Sequence, residues 1–255
     1  MNNSQQDPLE KLFGFWKQVA DETERSLPED AAGVFLFLFN DALDMIGAIH
    51  DAYPQEEVIR SLVYAEFTGL LKELLWLHAL FVCGNYRLVL SQLRFNWERI
   101  FRARYADAYA EEHPEATDAP EPNLDEKHDW LTKREGRLNW QTLIAPTLAK
   151  LFSAGTPEEV ESRFKPLWDR LNRCVHPTGE LCEKLIANPD APLHAIDAFD
   201  EAWARETCRE AAEVFSLLWL AVLSRFPEAV PALLADPHSF EACPQIRASR
   251  VLPGD

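Results

Sequence analysis

Residues 168–177 read Trp-Asp-Arg-Leu-Asn-Arg-Cys-Val-His-Pro, and they hold the side chains best suited to chemistry in this chain. Arg170 and Arg173 bring guanidinium groups, Asn172 an amide, and His176 an imidazole that titrates near neutrality. Arg170 and His176 form an R-x5-H pattern. Asn172 lies four residues before His176, so on a helix the two share a face. These residue types fit acid/base chemistry at a phosphate without a metal. An imidazole moves a proton, while a guanidinium forks onto phosphate oxygens and takes up the charge that develops there. Pro177 directly follows the histidine and marks a predicted helix end, where the helix dipole favours the imidazolium form.

The same residues have plainer uses. A histidine before a proline can simply cap a helix C-terminus. Cys174-x-His176 with Cys182 and Cys208 offers zinc-ligand types, although no close ligand pair flanks them. No cofactor is implied. His50, His78 and His194 sit in helical contexts and read as structural. Trp97, Trp168, Trp203 and Trp219 read as core. No P-loop, GxGxxG, GxSxG or HExxH pattern occurs, which argues against a nucleotide-binding enzyme, a serine hydrolase or a zincin. The missing Glu-x-x-His pair argues against a di-iron bundle.

The elements that must position these groups are helical throughout. The periodicity predicts helices over 9–25 and 31–52, then one nearly all-round apolar, buried helix from Pro54 to about Cys83, broken by Gly84-Asn85. Val34–Phe39 has a strand-like composition, but its flanks favour helix. The next helix runs from Tyr86 to about Glu112. Beside its apolar side lies a polar stripe of Arg87, Ser91, Arg94, Glu98, Arg102 and Tyr105, in which Arg94 and Glu98 are spaced to pair. Between Asn85 and Tyr105 five arginines face one acid, a local charge of +4. The stripe is either a binding face or a solvated one.

The Pro- and acid-rich stretch 113–124 reads as an exposed loop. Helices are predicted over 124–134 and 138–152. Thr156-Pro157-Glu158-Glu159 opens the motif helix, which ends near Val175. A long helix follows over 193–226, with a possible break near Thr207, and then a short one near 231–235. The fold class is therefore all-α: an antiparallel helical bundle in a single domain over 1–240. N-terminal helices occupy 1–53, the bundle core 55–226, and a loose tail 241–255.

Composition sets the frame. The 255 residues carry a net charge of −17 and eight tryptophans, with only nine glycines. A chain this acidic repels polyanions as a whole. Five cysteines without a CxxC pair fit a reduced, cytoplasmic protein. The N-terminal residues lack the features of a signal peptide, and no run is apolar enough to imply a membrane partner.

Tyr86–Tyr109 (YRLVLSQLRFNWERIFRARYADAY) together with Trp168–Pro177 (WDRLNRCVHP) resembles the HEPN superfamily of all-α proteins. There an R-x4–6-H motif ends one helix of an antiparallel bundle, and a polar or acidic residue on an earlier helix faces it. The ending Leu171-Asn172-Arg173-Cys174-Val175-His176-Pro177 is similar to the prokaryotic branch with L-S/N-x-x-V-H-P. The likeness spans roughly Gly69–Leu223 in outline, and these two helices carry its specific residues.

The resemblance implies a homodimer and a metal-independent endoribonuclease of a defence or toxin setting. His176 would act as acid/base and Arg170 as phosphate stabiliser, with Asn172 orienting either one. Glu98 would hold an arginine in place. Arg94, Arg102 and Arg173 would contact the substrate. Two features depart from this pattern: Leu171 stands where catalytic members usually carry a polar residue, and the acidity opposes RNA unless a dimer gathers the arginines. The alternative is a non-catalytic HEPN-like interaction or ligand-sensing module that binds a protein partner or a small nucleotide; many members of the superfamily have lost catalysis and serve as scaffolds or sensors.

Overall fold

The computed structural model describes residues 8–27, 33–116, 119–120, 123–134, 139–151, 157–175, 199–236, 239–240, 243 and 246. These residues form an all-α bundle, as predicted. In chain order the α-helices are α1 (Pro8–Ser26), α2 (Val34–Ala52), α3 (Gln55–Ile59), α4 (Leu62–Val82), α5 (Tyr86–Glu112), α6 (Leu124–Thr132), α7 (Ala145–Leu151), α8 (Pro157–Val175), α9 (Glu201–Leu223) and α10 (Val230–Ala235). A π-turn (Trp140–Ile144) leads into α7, and a 3-10 turn (Pro227–Ala229) leads into α10. Val34–Phe39 is helical, and α9 passes through Thr207 without a break.

The long α5 is the central element, packing most extensively against α4, α9 and α8. Its stacking of Tyr86 against Trp203 at one end and its Arg104–Ser224 hydrogen bond at the other show that α9 runs parallel to it. Helices α4 and α8 run the opposite way: Tyr64 meets Phe226 while Phe67 meets Trp219, and Ser91 meets Cys174 while Arg94 meets Asn172. One continuous core runs through these four helices and α2, with Trp97, Trp219, Phe67, Phe101, Phe215 and Phe164 fully buried.

The α4–α5 turn is chemically specified. Gly84 adopts φ 78°, a left-handed conformation that costs glycine nothing. Its N–H donates to the Phe81 carbonyl at 3.0 Å, and the Asn85 N–H donates to the Leu80 carbonyl at 2.9 Å. This is the Schellman pattern for ending a helix. Asn85 then caps α5 by accepting from the Leu88 N–H.

One predicted helix is two. The segment expected to run from Pro54 to Cys83 breaks at Arg60-Ser61, where Ser61 is extended and caps α4. The break is held from outside. The buried Asp107 carboxylate on α5 accepts from the Leu62 N–H (3.0 Å), the Val63 N–H (3.0 Å) and the Ser61 hydroxyl (2.8 Å). Lys127 on α6 donates to the same carboxylate at 2.6 Å and to the Arg60 carbonyl at 2.7 Å. Local pattern predicts a continuous helix; a tertiary carboxylate ends it. Nor is α4 buried all round, because Leu75 and Trp76 are exposed.

Candidate functional site

The site grows from the seam between α5 and α8. Trp168 is buried on α8 and packs edge-on against Trp97 of α5, with ring centroids 5.3 Å apart. Leu171, one turn on, is fully buried. This apolar register turns Asn172 toward the polar stripe of α5. Arg94 lies across the seam, its guanidinium carbon 3.4 Å from the centre of the Trp168 ring. Its Nε donates to Asn172 Oδ1 at 2.7 Å, and its Nη1 donates to Glu98 Oε2 at 2.7 Å. Arg102 pairs with the other oxygen of Glu98. Burial pulls the Arg94 guanidinium below the usual arginine range, and the Glu98 carboxylate opposes that pull.

Four of the predicted site residues, Arg94, Glu98, Arg102 and Asn172, are thus one connected network. Glu98 holds two arginines rather than one. Arg94 is committed on three sides, with 13% of its side chain exposed. Nearer the end of α8, Arg87 Nε and the Ser91 hydroxyl both donate to the Cys174 carbonyl, at 3.2 and 3.0 Å. Those bonds satisfy a carbonyl that a helix C-terminus would otherwise leave without an intrahelical partner.

Arg170 is placed differently. Helical geometry puts it on the far side of α8 from Asn172, facing α9. Its Nε donates to Glu210 Oε1 at 2.5 Å. Glu210 is 3% exposed, whereas a third of the Arg170 side chain remains accessible. Desolvation pushes the Glu210 carboxyl above its ordinary range, and Arg170 draws it back down. The neighbouring Cys174 thiol is raised by burial and by the Glu210 charge. Arg173 is exposed. His176, with Pro177, lies outside the described residues, as do Cys182 and His194. Among the described residues no cluster of His, Cys, Asp and Glu is arranged to hold a metal ion.

Glu210 is the residue that sequence reasoning missed. A signal for it exists. Trp203, Thr207, Glu210, Val214, Leu217 and Ala221 follow the four-three spacing of a buried stripe, so a carboxylate at 210 falls in a core register and calls for a cation opposite.

The other predicted features sort cleanly. Trp97 and Trp219 are core and Trp203 is half-buried against Tyr86. His50 shares a 2.7 Å hydrogen bond with the Tyr64 hydroxyl, and burial lowers the His78 imidazole. The remaining arginines of α5 point elsewhere: Arg99 bridges to Glu66 (3.2 Å) and Glu73 (2.6 Å) on α4, and Arg104 reaches Ser224 on α9. Much of the positive charge concentrated in this helix is therefore matched by acids of neighbouring turns. Among the described residues no single helix is long and apolar enough to cross a membrane. Comparison of the chain with protein-family models, with curated proteins and with solved structures finds no match.

Proposed function

We propose that the chain is an HEPN-like, metal-independent endoribonuclease that works as a homodimer in a defence or toxin setting. The observation that carries the reading is Arg170: a buried carboxylate grips it through Nε, and among the described residues no hydrogen bond engages Nη1 or Nη2 of this partly exposed side chain. A guanidinium fixed at one edge is preorganised to meet a phosphate at the other. Glu210 is then a positioning residue. In the proposed reaction His176 takes the proton of a ribose 2′-hydroxyl as that oxygen attacks the adjacent phosphorus. The bond to the 5′-oxygen breaks, that oxygen takes a proton from water, His176 returns its own to the solvent, and a 2′,3′-cyclic phosphate remains. Arg170 stabilises the charge on the non-bridging oxygens. The Arg94–Glu98–Asn172 network holds α8 in register on α5, and Arg102 and Arg173 supply further cationic contacts to the RNA.

A second reading is favoured by Leu171 and Arg94. Leu171 is fully buried where catalytic members usually carry a polar group, and Arg94 is already satisfied internally. On that reading the fold is a non-catalytic module for a protein or small-ligand partner.

RNA cleavage in EDTA by wild type, His176→Ala, Arg170→Ala and Glu210→Gln, each confirmed folded, separates the two. The nuclease reading expects cleavage to cyclic-phosphate ends, abolished by the first two substitutions and weakened by the third. No cleavage by wild type, or equal cleavage by all four proteins, transfers the assignment to the non-catalytic module.

A further inference from the structure

At the other end of α5 a cavity of about 370 Å³ opens between α5, α7, α9 and α10. Leu151, Leu220, Leu223 and Val230 give it apolar walls, and Arg104, Lys150 and Ser224 stand among its lining. Its size falls at the small end of ligand pockets, which span about 300–1,000 Å³. At roughly 30 Å³ per water-sized group it holds a molecule of about a dozen heavy atoms.

Arg104 is the unusual member. Its Nε donates to the Ser224 hydroxyl at 2.8 Å and its Nη2 makes a long contact to the Ser224 carbonyl. Its Nη1 is buried without a hydrogen-bond partner. No described carboxylate forms an ion pair with it. The acids that reach it electrostatically are engaged by other cations: Asp107 by Lys127, Glu111 by Arg225 and Glu112 by Lys150. Desolvation accordingly pulls the Arg104 guanidinium below the usual arginine range. A cation taken from water without a paired anion costs free energy unless another group satisfies it. Here such a cation borders an apolar cavity, where an anion with an apolar body could supply the missing charge.

We propose that this cavity binds a small monocarboxylate with an apolar tail, its headgroup at the Arg104 guanidinium and its chain against Leu151, Leu220, Leu223 and Val230. One guanidinium without an ion-pair partner among the described residues matches the single charge of a carboxylate, whereas Lys150, the other cation in the lining, is already held by Glu112. A dianionic phosphate head would bring a second negative charge into an already acidic protein. The proposal is independent of the nuclease reading, because none of these residues belongs to the α5–α8 seam.

The test is calorimetric titration of the full-length chain with decanoate and, separately, with decanol, which keeps the tail and lacks the charge. Wild type is expected to bind one decanoate per chain, with decanol at least about tenfold weaker. Arg104→Gln should remove that preference while leaving decanol binding unchanged. Ala108→Phe, which narrows the same cavity and keeps the Arg104 charge, should abolish both. The proposal is overturned if wild type binds neither ligand, if it binds both equally, or if Ala108→Phe binds decanoate as wild type does. A folded Arg104→Gln protein that keeps the preference also overturns it. Should Arg104→Gln fail to fold, the decanoate–decanol contrast and Ala108→Phe decide.

Discussion

Replacing Asp107 by alanine removes a buried acceptor of four hydrogen bonds. Its carboxylate is 1% exposed and takes hydrogen bonds from two backbone N–H groups, the Ser61 hydroxyl and Lys127, whose own side chain is 7% exposed. Truncation leaves a buried ammonium with only the Arg60 carbonyl and strips the first turn of α4 of its outside acceptor. Breaking a buried ion pair from one side costs about 3–5 kcal/mol. Losing a helix-end acceptor adds about 1 kcal/mol, so Asp107→Ala should lose about 4 kcal/mol or more. Against a total stability of about 5–15 kcal/mol, that is a large share.

Urea unfolding followed by far-UV circular dichroism would read the loss as a lower midpoint at unchanged slope. The double variant Asp107→Ala/Lys127→Met should lose less than the two single variants summed, because it leaves no orphaned charge. A loss below about 1 kcal/mol for Asp107→Ala, or strict additivity in the double variant, would refute the idea that this pair ties α3, α4 and α6 to α5.

Two further outcomes follow from the seam. Arg94→Met keeps apolar bulk over Trp168 but drops both hydrogen bonds, and should cost about 1–3 kcal/mol in the same unfolding assay; a change within experimental error would show that the network carries no stability. Glu210 gives a pH signature. Its folded-state carboxyl is raised above the ordinary value of 4.5, so the native chain holds that proton more tightly than the unfolded one. Its contribution to stability therefore falls as pH rises from 4.5 through the raised value. Glu210→Gln should flatten that part of the stability–pH curve, and Arg170→Ala should extend it to higher pH. An unchanged curve in both variants would mean that Glu210 does not titrate as its surroundings dictate.

How far the chain could be read in advance depends on where each signal resides. Helices α5, α8 and α9 announce themselves because their caps, spacing and breakers lie within their own sequence: Asn85 before α5, Pro157 with two glutamates opening α8, and the apolar run of α9. The Arg94–Glu98 pair was legible for the same reason, being four residues apart on one helix. The break at Ser61 was not, since the group that enforces it comes from Asp107, 46 residues away. Glu210 was hidden likewise: its role depends on Arg170, 40 residues distant. The bond from Arg94 to the Asn172 carbonyl oxygen crosses from another helix and has no local signal either. Local rules give elements and intrahelical pairs; partners across the bundle are set by packing register.

The aromatic seam has an optical consequence. Trp168 lies 5.3 Å from Trp97 and 5.5 Å from Trp140, between centroids, with a guanidinium held against its face. Three indoles this close, fixed at defined angles and biased by one cation, share their excited states. The part of their near-ultraviolet ellipticity that comes from the Trp97–Trp168 pair would exist only while α8 is seated on α5. The chain thus carries an intrinsic chromophore at its candidate site, and a spectrum alone can report whether the helix that bears Arg170 and leads into His176 is in place.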